Sequence, residues 1–92
     1  MNLIDVVRDI GNIDEKLIIF QQAQNDYKSD VILSNGEDSL NGVKEVNGKK
    51  YYYLLEVFLA KEFVEDWLDT LTYLPGLDEV AKRLHEYAIN DA

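Results

Sequence analysis

The dipeptide Asn47-Gly48 stands between two strand-like segments, Val43-Lys44-Glu45-Val46 and Lys49-Lys50-Tyr51-Tyr52-Tyr53-Leu54-Leu55. A two-residue connection between right-handedly twisted strands requires positive φ at both central positions, and Asn followed by Gly meets that demand with least steric strain. The segment is therefore expected to form a type I′ hairpin inside an antiparallel sheet. Two shorter apolar runs supply further strands. Leu17-Ile18-Ile19-Phe20 is too short for a helix with its own face, so residues 16–22 read as a strand covered on both sides, and Val31-Ile32-Leu33 reads as a second. The polar stretch Gln21–Ser29 connects them, and the turn-rich residues 34–42 read as a surface loop.

From Leu59 the period becomes helical. Leu59, Phe63, Trp67, Leu68 and Leu71 form an apolar stripe, with Lys61, Glu62, Glu65, Asp66 and Asp69 on the other side. Pro75-Gly76 closes this segment. A second helix is expected from about Leu77, turning Leu77, Val80, Ala81, Leu84 and Ala88 inward, with Glu79–Arg83 and Lys82–Glu86 as i,i+4 pairs. Near the start, Leu3, Ile4, Val7 and Ile10 predict a short helix over 3–10, capped by Asn2 and stopped by Gly11. The expected fold is α+β, a single domain over 1–92. It has a short N-terminal helix, an antiparallel sheet of about four strands, and two C-terminal helices packed on the sheet.

Ninety-two residues without cysteine must be held by packing alone, and the missing thiols suit a reducing compartment. The N-terminus lacks the basic region of a signal peptide, and no apolar run approaches the ~18–20 residues of a membrane span. A cytoplasmic protein is expected. The net charge of −9 divides as −3 over residues 1–50 and −6 over residues 51–92. Such a field repels nucleic-acid phosphate and anionic membranes and steers basic partners inward.

Candidate chemistry is sparse. His85 has Ala81, Lys82, Ala88 and Ile89 at helical spacing, so no second ligand or proton-relay group stands beside it. Ser29, Ser34 and Ser39 lack a nucleophile elbow. The run Gly42 to Lys50 has the wrong spacing for a phosphate loop and lies in a hairpin, while Asn35–Asp38 lacks the alternating ligands of a calcium loop. No catalytic residue, cofactor or metal is expected, and the chain reads as a non-enzyme. Lys44, Lys49 and Lys50 beside the tyrosines could serve base stacking, but lysines also guard a sheet edge, and the acidic background favours that use.

Two features bear on partners. In regular alternation Tyr51, Tyr53 and Leu55 point one way and Tyr52 and Leu54 the other, so both faces are apolar or aromatic. That pattern suggests a homodimer interface at Tyr51, Tyr52, Tyr53 and Leu54. Glu62, Glu65, Asp66 and Asp69 recur at i, i+3, i+4 and i+7, sharing one helix face with only Lys61, toward Glu65, to relieve them. Their like-charge pairs each cost about 0.2–0.5 kcal/mol, small enough for a merely solvated face. The functional reading is a docking surface for a basic protein partner. In general character, though by no motif, the chain is similar to bacterial immunity and inhibitor proteins that neutralise basic toxins. The expected function is thus a non-catalytic protein-interaction module of inhibitor or regulatory type. The alternatives are an acidic nucleic-acid mimic, and a subunit of an oligomeric enzyme or ligand-binding protein whose site is shared between chains.

Overall fold

The structure, a computed structural model, describes residues 1–37 and 41–90. Asp38, Ser39 and Leu40 of the expected 34–42 loop lie outside the described residues. In chain order the elements are α1 (Leu3–Arg8), a 3-10 turn (Ile10–Asn12), β1 (Ile18–Gln21), β2 (Val31–Ser34), β3 (Val43–Val46), β4 (Lys49–Glu56), α2 (Val57–Asp69) and α3 (Leu77–Asn90). The chain adopts the expected α+β arrangement, with one antiparallel sheet in the order β2-β1-β4-β3.

The six residues of α1 are too few to hold a helix in water, so its ends and its buried face must do so. Asp5 N donates to Asn2 Oδ1 at 3.1 Å and Asn2 N donates back to Asp5 Oδ2 at 3.0 Å, a reciprocal capping box. Leu3, Val6 and Val7 are buried, and the helix packs on α3. It ends at Arg8, short of the expected Gly11, because Asn12 N donates to Asp9 O at 2.8 Å and tightens the chain into the 3-10 turn.

At the hairpin, Asn47 and Gly48 take φ of 52° and 79°, the paired positive values that a type I′ turn needs. Asn41 and Gly42 repeat this conformation before β3, where Gly42 O accepts from Tyr53 N at 2.7 Å and prolongs the β3–β4 pairing. Ile19 and Phe20, adjacent in β1, are both nearly inaccessible, so that strand is covered on both sides as expected. The regular alternation expected for β4 fails at one point. Ile19 pairs with Leu55 but Phe20 pairs with Tyr53, leaving Leu54 as the extra residue of a bulge. The bulge turns Leu54 and Leu55 together into the helix-side core, while Phe20 meets Tyr53 edge-on outside that cluster, at 6.4 Å and 86°.

Strand β4 runs directly into α2, two residues earlier than the sequence period suggests. Glu56, at the cap position, makes no capping bond, since its carboxylate accepts the Tyr53 hydroxyl. The first helical amide is satisfied instead by a strand connection, Val57 N to Leu17 O at 2.9 Å. This junction fixes the rotation of α2 and corrects the expected inward stripe. Val57, Ala60 and Val64 are the buried residues, while Leu59, Phe63, Trp67 and Leu68 pack at the edge of the core. On α3, Val80, Ala81 and Leu84 are buried as expected, but Leu77 at the first turn is exposed. Of the two expected i,i+4 pairs, Glu79 instead accepts the Tyr73 hydroxyl, and Arg83 reaches Glu86 at 4.0 Å.

Candidate binding site

On the flank formed by α2 and the second half of α3 lie two adjoining hollows. The first, about 340 Å³, is lined by Leu59, Glu62, Phe63, Asp66, Trp67 and Thr70 and, from α3, by Tyr87. Their steps of three and four residues put the α2 contributors on one side of the helix. Phe63 stacks on Tyr87 at 4.3 Å between ring centroids and 15° between planes, and lies nearly parallel to Trp67 at 6.5 Å and 8°. The second hollow, about 470 Å³, is lined by Gln24, Tyr53, Leu54, Leu55, Leu59, Ala88 and Ile89. Leu59 lines both hollows. Gln24 braces the second hollow: its Nε2 donates to Tyr53 O at 2.9 Å, and its backbone carbonyl meets His85 Nε2 at 2.8 Å.

The four carboxylates singled out in the sequence are all exposed, and among the described residues none has an ion-pair or hydrogen-bond partner. Lys61, expected to relieve Glu65, turns the other way and meets Glu15 at 3.7 Å. Because α2 begins at Val57, Glu62 lies beyond the first turn and gains little from the helix dipole, and no base sits in the last turn. The structure also divides the stripe. Glu62 and Asp66 rim the aromatic hollow, while Glu65 and Asp69 do not line it.

Other carboxylates are engaged. Asp30 Oδ1 accepts from the Met1 ammonium at 2.9 Å and its Oδ2 from the Tyr51 hydroxyl at 2.8 Å, contacts that hold its pKa below the ordinary 3.8. The Asn2 amide and Arg8 do the same for Asp5. Asp78 takes the Tyr27 hydroxyl at 2.9 Å.

The four residues expected to pair two copies separate by burial. Tyr51 and Leu54 are buried within the chain, whereas Tyr52 and Tyr53 keep 37% and 38% of their surface. Lys49 and Lys50 are exposed on the hairpin. Among the described residues no group of three or more His, Asp or Glu side chains gathers as a metal-ligand set, and no helix is long and apolar enough to cross a membrane. Gln21 is fully buried with Oε1 unpartnered, but it lines neither hollow. Tyr87 was not legible as a site residue, because its place depends on how α3 crosses α2. The Glu62-Phe63 and Asp66-Trp67 doublets, four residues apart, were the available signal. No family model matches the chain, and no curated protein or solved structure matches it significantly.

Proposed function

We propose that the chain is a non-catalytic, cytoplasmic interaction module that captures a basic protein partner on the outer face of α2, as an inhibitor or regulatory protein would. The observation that supports this reading is the set of carboxylates Glu62, Glu65, Asp66 and Asp69, without partners among the described residues, two of which rim an open aromatic hollow, on a chain of net charge −9. A concentrated negative face accelerates encounter with a positive partner, and salt screens that acceleration. A nucleic-acid mimic would need paired acidic rows along its length, and α2 carries one.

The test is capture from a lysate of cells that express the protein. The chain should retain a basic protein whose association slows as salt rises, and the variant Glu62→Gln, Glu65→Gln, Asp66→Asn, Asp69→Asn should recover much less of it. Equal recovery by both forms would retire the reading.

A further inference from the structure

We infer that the Phe63–Trp67–Tyr87 hollow receives an arginine side chain of the partner. This rests on the basic-partner reading and sharpens it. The lining holds three aromatic rings, and ring faces attract a cation through the quadrupole. Glu62 and Asp66, one turn apart on the rim, offer two unpaired carboxylates directly beside those faces. A planar guanidinium satisfies both demands at once: it stacks flat on a ring and donates a fork of N–H groups to a carboxylate. A lysine ammonium is a compact, strongly hydrated point charge and matches the carboxylates but not the stacked faces. The chain itself already uses the same recognition, with the Arg83 guanidinium 5.4 Å from the Phe63 centroid and its charge met by Glu86 at 4.0 Å.

The occupant is therefore an arginine-bearing segment of the basic partner. A second copy does not supply it, because the chain's arginines, Arg8 and Arg83, are held by Asp5 and by Phe63 and Glu86.

Trp67 is the chain's only tryptophan, so its fluorescence reports on this hollow directly. The probe is a blocked tetrapeptide, leucine-arginine-arginine-leucine, with its citrulline and lysine versions as comparators. Saturable change in Trp67 emission is expected with the arginine peptide. The neutral citrulline isostere should bind at least about tenfold more weakly, and lysine should fall between. Glu62→Gln with Asp66→Asn, or Tyr87→Ala, should weaken the arginine peptide by about tenfold, while Tyr87→Phe should keep its binding and Glu65→Gln with Asp69→Asn should change it less than about twofold. Circular dichroism confirms that each variant is folded. Calorimetric binding without an emission change, or equal losses from the two carboxylate pairs, overturns the arginine hollow and leaves a diffuse acidic surface intact. No binding of the arginine or lysine peptide at low salt overturns both.

Discussion

Two aromatic groups of the molecule are used in opposite ways. On the sheet, Phe20 and Tyr53 meet edge to face, and the hydroxyls of Tyr51 and Tyr53 are spent on Asp30 and Glu56 within the chain. On the helices, Phe63, Trp67 and Tyr87 lie nearly parallel beside a hollow, and the neighbouring Glu62 and Asp66 have no partner among the described residues. The first arrangement fills space and closes its own polar groups, as a core must. The second leaves two carboxylates unanswered among the described residues, at the rim of a hollow. Rings of similar chemistry thus separate into a set whose hydroxyls are closed within the chain and a set bordered by carboxylates without partners among the described residues.

The largest expected effect breaks the comparison from the structural side. Phe20 is about 1% exposed, so Phe20→Ala removes a fully packed ring and should lower stability by about 3–5 kcal/mol. Trp67 stands at the edge of the core, and Trp67→Ala should cost about half of that or less, with the fold retained. Denaturant midpoints at constant m compare them. Equal losses would mean that the helix aromatics are as structural as the sheet ones.

A medium effect lies in the alkaline range. Partial burial first, and then the Glu56 carboxylate, push the Tyr53 phenol from its usual 10 up to about 12. The fold therefore favours the protonated phenol. Its contribution is complete below pH 10 and is lost as pH rises from about 10 toward 12, since the unfolded chain releases that proton earlier. Tyr53→Phe should be less stable near neutrality, through the lost bond to Glu56, yet show a flatter stability profile above pH 10. Thermal melts across that range measure the slope. Identical slopes for the two proteins would show that Tyr53 titrates as freely as an exposed ring.

The sheet was more legible in the sequence than the site, for physical reasons. Asn47-Gly48 dictates its turn locally, and the β-branched run of β1 needs burial on both sides whatever lies around it. The bulge at Leu54 was not legible, because it arises only when β1 and β4 pair, and it redirects two leucines that alternation would separate. The same limit applied to α2. Its hydrophobic period was visible, but its rotation is fixed by the β4 junction and by Val57 N bonding Leu17 O. That rotation leaves Phe63 and Trp67 at the edge of the core, so the neighbouring Glu62 and Asp66 rim an open hollow. Spacing along one helix identified the carboxylates. Their relation to Tyr87 required the packing of a second helix.

The smallest expected effect is a gain, and it separates the carboxylates by use. Glu62–Asp66 and Glu65–Asp69 are like-charge i,i+4 pairs in a helix without bases in its last turn, and Lys61 serves Glu15 instead. Each such pair costs about 0.2–0.5 kcal/mol, so converting all four to amides should stabilise the fold by about 0.4–1 kcal/mol. For a domain of this size that is a rise of about 2–8 °C in Tm. Asp30→Asn should do the reverse, because Asp30 accepts from the Met1 ammonium and the Tyr51 hydroxyl and its depressed pKa makes the ionised form the stabilising one. That stabilisation is present above the ordinary carboxylate value of 3.8 and disappears as pH falls through the lower folded value, so the gap between Asp30→Asn and the parent chain should close in acid. Melts at neutral and acid pH read both variants. If the four amides lower stability, the α2 carboxylates hold the fold together through partners of their own, and the contrast between satisfied and unanswered groups fails at its centre.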